Sequence, residues 1–480
     1  MSHVLVVVGV ALTAAAVLFF IGRGEDRDPE RASSTVAGVL ADRDGDGTLE
    51  RAPGEPMLDR TELAPADRVI RTLATLGQIS DAHVRDEESP ARAVLLDRLG
   101  PPFTSTFRPH EALSTQVLAA SVRSVNGLDP DAVLVTGDLI DSAQVNELDQ
   151  ALGVLEGGLV QPDSGAPGYQ GPQAAASADP FVYRPDLDAP RHPGLLASAQ
   201  RAFRSPGFNA PWYVAPGNHD LLVQGEAPPS TALGELAVGN RALSEIDRET
   251  DIPGAFSPGV VDSVLSNGLP GKTVAVPADP RRRHLGATAA TQRLRSASNS
   301  EGRLARLDHS FDVGPRLRVV VLDLVRREGG SDGRVQSDQV AWLRSELARA
   351  GERNVVVVSH QPLASSDGGE SALAVLDESP RVIAALSGHT HRSSIEPRRS
   401  TAGGYWLIGT PSLADYPQQA RALKLVETEG GGVALETWMV DTAPDPLADT
   451  ARDLAFLDAQ GGRPGGATGN REDRNARLFR

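Results

Sequence analysis

The side chains best suited to chemistry lie in five short motifs that follow one another along the chain. These are DAH at 81–83, GDLID at 137–141, GNHD at 217–220, SH at 359–360 and GHTH at 388–391. Their carboxylate, amide and imidazole groups are the ligands of Mn, Fe or Zn, and the absence of cysteine excludes a sulfur-rich structural site. The motifs therefore indicate a catalytic metal site with ligands for two ions.

Two neighbouring cations suit one reaction class in particular. Ions about 3.5 to 4 Å apart generate a hydroxide-like nucleophile at neutral pH and neutralise the oxygens of an attacked phosphate ester. Each motif alone is a weak signal, because an Asp often serves a turn and a His often bonds a backbone carbonyl. The five motifs in order are a strong one.

The ordered set resembles the calcineurin-like metallophosphoesterase superfamily, whose blocks are DxH, GDxxD, GNH followed by an acid, a later His, and GHxH. The resemblance implies two divalent or trivalent ions, Mn, Fe or Zn, that share Asp138. The first ion would be bound by Asp81, His83, Asp138 and His391, and the second by Asp138, Asn218, His360 and His389. Asn218 and His219 would contact the substrate, with His219 as the proton donor and Asp141 as its carboxylate partner.

The resemblance implies hydrolysis of a phosphomonoester or phosphodiester by a metal-bridging hydroxide, with His219 as the general acid. Asp141, Ser142 and Asp220 depart from the purple acid and protein Ser/Thr phosphatase branches. The pattern is closer to the cyclic-nucleotide phosphodiesterase and general phosphoesterase branches. Two alternatives stay open, a metal-binding protein without catalysis and a membrane-tethered scaffold of the same fold.

Short apolar runs precede the motifs and predict the elements that position them. The runs at 73–79, 132–136, 212–215, 355–359 and 382–387 are typical of buried strands. Each ligand then lies just past the carboxyl end of a strand, where open α/β sheets gather their sites.

Helical spacing at 111–125 and at 337–350, the second opened by Ser337 as a cap, alternates with these strands and predicts an α/β class. Further strands are expected at 405–408, 423–426 and 433–439, the last two joined by a glycine-rich turn. The resemblance implies two packed β-sheets flanked by helices, a four-layer α/β/β/α sandwich.

The motifs span one catalytic domain, predicted at 65–440, with long insertions at about 159–209 and 221–307. Either insertion forms a cap over the metals or is a peripheral loop. Seven arginines lie between 281 and 306, and they form a solvated face or supply a phosphate-binding side chain. Residues 23–64 are predicted as a linker and 441–480 as a tail.

An uncharged stretch at 4–22 is long enough to span a bilayer as a helix and predicts an N-terminal anchor, with a cleaved signal as the alternative. Arginines after the stretch favour a cytoplasmic catalytic domain. Related phosphoesterases with such leaders are often exported. We therefore expect the catalytic domain on the outer face of the membrane.

A net charge of −16 argues against nucleic acid as a partner. A small phosphate ester is the expected one, and the sequence leaves the oligomeric state open.

Overall fold

The computed structural model describes residues 33–92, 94, 106–177, 179, 181–246, 271–303, 305–461 and 468–480. The predicted membrane segment at 4–22 lies outside the described residues. Within the described part, no helix combines the length and the apolar character needed to cross a bilayer.

The described strands follow the chain from Gly38 to Phe479. They are β1 (Gly38–Ala41), β2 (Glu50–Pro53), β3 (Leu58–Arg60), β4 (Val69–Ile79), β5 (Ala132–Val135), β6 (Gly158–Val160), β7 (Phe203–Ser205), β8 (Trp212–Val214), β9 (Arg241–Ile246), β10 (Gly271–Ala275), β11 (His309–Val313), β12 (Leu317–Leu322), β13 (Asn354–Ser359), β14 (Val382–Ser387), β15 (Ser394–Arg398), β16 (Tyr405–Gly409), β17 (Gln419–Thr428), β18 (Val433–Asp441) and β19 (Ala476–Phe479).

The described α-helices are interspersed among them. They are α1 (Ser114–Asn126), α2 (Val145–Glu156), α3 (Leu195–Ala199), α4 (Asn218–Leu221), α5 (Thr231–Val238), α6 (Ala287–Ala297), α7 (Ser337–Ala350), α8 (Gly369–Asp377) and α9 (Pro446–Gln460).

Two large sheets form the centre of the molecule. One has seven strands in the order β3-β19-β18-β17-β4-β5-β8, and the other has six in the order β11-β12-β13-β14-β16-β15. In the first, β4, β5 and β8 are parallel; in the second, β12, β13, β14 and β16 are parallel. The parallel strands carry all five motifs, so their carboxyl ends form one edge of each sheet.

The sheets pack face to face, and helices cover both outer faces. Side chains such as Leu76, Val356 and Leu423 fill the space between the sheets. Helices α1, α2 and α9 pack on the seven-stranded sheet, and α7 and α8 pack on the six-stranded sheet. The predicted α/β class, with packed sheets inside flanking helices, is therefore observed.

Strand β13 shows why its sequence is apolar throughout. Successive side chains of a strand point to opposite faces. Val356 and Val358 face the other sheet, while Val355 and Val357 face the helices α7 and α8. Both faces are buried, so the strand is a continuous valine run without alternation.

The structure differs from expectation at both ends of the domain. Strand β3, inside the predicted linker, pairs in parallel with β19, inside the predicted tail, and both belong to the seven-stranded sheet. The physical reason is that Ala476 and Leu478 of β19 are buried between the sheets, and β3 covers the edge that β19 would expose. Helix α7 also begins differently, because Gln336 is its N-cap and Ser337 is its first helical residue.

Candidate metal centre

The predicted ligands meet where the parallel strands of the two sheets end. Asp81 and His83 follow β4, Asp138 follows β5, and Asn218 begins α4 after β8. His360 follows β13, and His389 and His391 follow β14. The structure therefore brings all seven side chains to one cleft between the sheet edges.

The first group of ligand atoms consists of Asp81, His83 and His391. The Nε2 atoms of His83 and His391 are 3.2 Å apart, and His391 Nε2 is 3.4 Å from Asp81 Oδ1. Three buried or half-buried donors thus face one point, as a metal ion requires.

The second group consists of Asp138, His360 and His389. His360 Nε2 lies 3.1 Å from Asp138 Oδ2, 3.1 Å from Asn218 Oδ1 and 3.3 Å from His389 Nδ1. Asp138 Oδ2 is also 3.8 Å from His83 Nε2, so this carboxylate stands between the two groups.

The tautomers of three histidines fit metal binding. An imidazole Nδ1 that faces an oxygen acceptor carries the hydrogen, which leaves Nε2 as the free lone pair. His360 Nδ1 donates to the Thr136 carbonyl at 2.8 Å, His83 Nδ1 to Asp141 Oδ1 at 3.1 Å, and His391 Nδ1 to Asp415. In each case Nε2 is the atom that points into the cleft, so the donor set fits two metal ions.

Backbone strain marks the same positions. Five of the seven predicted ligands have a positive φ, a conformation that costs a non-glycine residue about 1 to 3 kcal/mol. They are Asp81, His83, Asp138, His389 and His391, with φ between 44° and 66°. Such strain persists where the surrounding structure fixes it, and it clusters at functional sites.

The glycines of two motifs are required by close approach. A Cβ on Gly217 would lie 2.1 Å from Asp138 Oδ1, and one on Gly388 would lie 2.5 Å from Asp81 Oδ2. The glycines therefore allow the loops to bring the carboxylates against the neighbouring backbone.

The titratable groups of the cleft differ in the direction in which their pKa values are shifted. Burial lowers the pKa of His83 to about 4. Burial would also lower that of His360, but the carboxylates of Asp138 and Asp81 outweigh it and raise the pKa to about 9. Burial opposes ionisation of Asp138, whereas the charges of His360 and His219 hold its pKa well below the usual range. The cleft thus combines an ionised carboxylate with imidazoles of different basicity.

His219 lies beside this cluster with 23% of its side chain exposed. Its backbone N–H donates to Asp138 Oδ1 at 2.8 Å, and its ring centroid is 4.5 Å from that of His83. Its Nδ1 donates to the Asp141 backbone carbonyl at 2.6 Å. His219 is therefore fixed at the open side of the cleft.

The predicted role of the Asp141 carboxylate needs correction. Its Oδ1 is 4.0 Å from His219 Nδ1, which is beyond hydrogen-bond distance, and it accepts instead from His83 Nδ1. The reason is local. Asp141 orients His219 with its carbonyl oxygen, which leaves its side chain free to turn toward His83.

Two carboxylates of the site were not predicted. Asp220 accepts from the backbone N–H groups of Leu139, Ile140 and Gly217, and so joins the second and third motifs. Asp415, in the loop after β16, accepts from His391 Nδ1. Asp220 was visible as the last residue of GNHD. The signal for Asp415 was its position after the predicted strand at 405–408.

The arginines of the second insertion mostly bind protein groups. Arg282 is fully buried, with Nε 2.7 Å from Asp86 Oδ2 and Nη2 2.8 Å from Ser164 Oγ. Three other arginines of the run form ion pairs with aspartates, in the pairs Arg281–Asp279, Arg293–Asp149 and Arg306–Asp308. Arg282 thus fastens both insertions to the loop that comes after the first motif.

Comparisons with known proteins add little to this geometry. No protein-family model matches the chain. No curated protein matches it either. Among solved structures, a dimetal phosphatase from Danio rerio aligns with 14% identity and a TM-score of 0.39, over 78% of this chain and 98% of that one. A likeness of this size supports no inference.

Proposed function

We propose that the protein is a dinuclear metal-dependent phosphoesterase of the calcineurin-like kind. The observation that carries the proposal is the pair of ligand groups meeting at Asp138, with the partly exposed His219 next to them. Paired divalent sites that share a carboxylate suit in-line displacement at phosphorus.

The residues that would hold the metals divide into two subsites. The first subsite is Asp81, His83 and His391, the second is Asn218, His360 and His389, and Asp138 belongs to both. When bound, two such ions activate water and neutralise charge on the phosphate. Two divalent ions with two carboxylates leave a local charge of about +2, which attracts an anionic ester in spite of the acidic surface.

His219 supplies the proton. The Asp141 carbonyl only accepts hydrogen bonds, so it fixes the hydrogen on His219 Nδ1 and leaves Nε2 for exchange. In the imidazolium form Nε2 donates to the leaving oxygen, and in the neutral form it takes a proton from solvent. A general acid of this kind contributes roughly 10² to 10⁴-fold.

The substrate class we propose is a small phosphate ester, mono or di. A nucleic acid is disfavoured by the net charge of −16, because phosphate backbones are bound by basic surfaces. We further propose that residues 4–22 tether the protein to a membrane with the catalytic domain on the outer face. Membrane fractionation of the full chain with and without those residues tests the tether. Release of both forms into the soluble fraction would reject it.

The test of the activity is hydrolysis by the purified protein of p-nitrophenyl phosphate and of its bis ester. Each substrate is offered with Mn²⁺, with Zn²⁺ and after chelation. We expect metal-dependent turnover that chelation abolishes and metal restores. Two bound metals without turnover of these esters, cyclic nucleotides or glycerophosphodiesters would favour the inactive scaffold. A protein that binds no metal would overturn the proposal entirely.

A further inference from the structure

Carboxylates lie behind both histidines of the first subsite. His391 Nδ1 donates to Asp415, and His83 Nδ1 donates to Asp141 Oδ1 at 3.1 Å. The Asp415 side chain has no exposed surface, and that of Asp141 is 7% exposed. Each histidine therefore presents Nε2 to the cleft while a buried anion holds its other nitrogen.

Buried guanidinium groups support these two anions. Arg108 binds Asp415 through Nε and through Nη2, the latter 3.2 Å from Oδ2. Asp141 lies 3.4 Å from Arg85 Nη2 and 3.7 Å from Arg92 Nε. Both carboxylates thus have cationic partners, which makes burial of their charge tolerable.

A third acid completes this support. Glu111 binds Arg92 through both oxygens, at 2.6 and 3.0 Å, and lies 3.5 Å from Arg85. Three arginines, Arg85, Arg92 and Arg108, therefore face three carboxylates, Glu111, Asp141 and Asp415, behind the first subsite. The charges balance without any contribution from the metal ligands.

The second subsite is supported differently. His360 Nδ1 donates to the neutral Thr136 carbonyl at 2.8 Å. Asp81 Oδ1 is 4.0 Å from this Nδ1 and belongs to the ligand set. Across the described residues, no carboxylate outside the ligand set is hydrogen-bonded to a ring nitrogen of His360 or His389. The two subsites therefore differ in the acceptor of the imidazole N–H group, which is a carboxylate for His83 and His391 and a neutral carbonyl for His360.

This difference changes the strength of the ligands. A carboxylate that accepts from one imidazole nitrogen raises the basicity of the other, and its loss typically costs 10- to 100-fold in metal affinity. A neutral carbonyl orients the ring but polarises it less. The anion-backed histidines are thus the stronger donors.

We infer that the two subsites are unequal, so that the one formed by Asp81, His83 and His391 fills first, with Arg108 and Asp415 as positioning residues for His391. The inference rests on the proposed dinuclear function. It assigns a role to two residues outside the five motifs. Asp415 lies in the loop after β16, and Arg108 lies before α1.

A purely structural role for the pair makes a different prediction. The loop of Asp415 also bonds the first motif, because the N–H groups of Leu413 and Ala414 donate to the Asp81 carbonyl at 3.2 and 3.1 Å. If Asp415 only held this loop, its loss would lower stability and weaken both metals together. A selective loss at one subsite separates the two roles.

The experiment is a titration of the metal-free full chain with Mn²⁺. Binding is measured by calorimetry and, in parallel, by the EPR signal of free Mn²⁺. The wild type is expected to show a tight and a weak phase. His391→Ala should remove the tight phase, and His389→Ala should keep it. These two variants assign each phase to a subsite.

Asp415→Asn keeps the size and one acceptor oxygen but removes the anion. We expect it to weaken the tight phase 10- to 100-fold and to leave the weak phase unchanged. Because it leaves the Arg108 charge without its partner, the double variant Arg108→Gln with Asp415→Asn provides a neutral pair that keeps the charges behind the first subsite balanced. Asp377→Asn is the matched control, since Asp377 pairs with Arg398 on α8 and β15, away from the cleft.

Each outcome decides the inference. Equal affinities in the wild type would overturn it while leaving the proposed function intact. A parallel weakening of both phases in the neutral double variant would reduce Asp415 to a structural residue and overturn its positioning role. A wild type that binds no Mn²⁺ or Zn²⁺ would overturn the proposed function as well. A selective loss in both Asp415 variants, absent from Asp377→Asn, supports it.

Discussion

The two sheets contribute different chemistry to one cleft. The seven-stranded sheet supplies the candidate ligands Asp81, Asp138 and Asn218 together with one ligand imidazole, His83. The six-stranded sheet supplies imidazoles alone, from His360, His389 and His391. One wall of the cleft, the carboxylate wall, therefore carries the acidic ligands, and the other, the imidazole wall, carries histidine ligands alone.

Backbone hydrogen bonds hold the loops of the carboxylate wall together. The loops after β4 and β5 continue the sheet beyond its strands, through hydrogen bonds from Asp81 N to Gly137 O and from His83 N to Asp138 O, both 2.9 Å. The two walls meet where His389 N donates to the Asp81 carboxylate at 3.1 Å. The two carboxylates near one another repel, and metal ions would join the carboxylate wall to the imidazole wall.

The largest effect is expected from Asp138→Asn, which changes the residue proposed to belong to both subsites. Asparagine keeps the shape and an oxygen that accepts from His219 N, but it cannot bridge two cations. We expect loss of both metals and of all metal-dependent hydrolysis, read by elemental analysis of the purified variant. Retention of two metals would contradict the shared role of Asp138.

A smaller change is expected on the imidazole wall. His389→Ala removes a ligand from the second group only, so metal content should fall from two ions to one. His284→Ala is the control, because His284 is a mostly buried histidine outside the cleft, with both ring nitrogens unbonded. Loss of both ions in His389→Ala would show that the walls do not bind independently.

His219→Ala should spare both metals and act on turnover. Removal of the proton donor is expected to lower kcat by roughly 10² to 10⁴-fold. Steady-state kinetics with elemental analysis on the same sample give both values. If the variant instead loses its metals, His219 is a ligand and the assignment of the proton donor is wrong.

The smallest effect is expected from Gly225→Ala. A Cβ there would lie 2.4 Å from both His219 Nε2 and Asn218 Nδ2, so it should displace the proton donor and lower kcat about tenfold, which is about 1.4 kcal/mol in the barrier. Gly194→Ala is matched, since both glycines have positive φ, 72° and 78°, but Gly194 has open space around it. Equal activity of the two variants would show that His219 tolerates the shift.

The sequence was sufficient for strands β13 and β14 of the imidazole wall and for the candidate ligands of both walls. Strands β13 and β14 were predicted within one residue, because continuous apolar runs between helices leave few alternatives. The motifs then named the side chains that the structure gathers. A motif directly after a parallel strand has its position set by that strand, because the carboxyl ends of neighbouring strands share one edge of the sheet.

The groups that support the ligands of both walls were not predictable in the same way. Which oxygen of Asp141 meets His219, and that Asp415 binds His391, depend on side-chain rotamers and on contacts between distant segments. Arg282 is an example. A run of charged residues predicts a solvent-exposed face, but this arginine is fully buried against Asp86. Strands β3 and β19 pair across more than 400 residues, and short strands carry too little pattern to reveal such pairing.

The pairing of β4 with β17 has a consequence for how the protein is made. Leu76, next to the first motif, lies opposite Leu423, so the strand that carries Asp81 has no antiparallel partner until nearly the whole chain has been synthesised. At about 5 to 20 residues per second, that delay is roughly 20 to 70 s. Long-range pairing of this kind also folds slowly. Newly made chains should therefore depend on chaperones for longer than the parallel core alone would require.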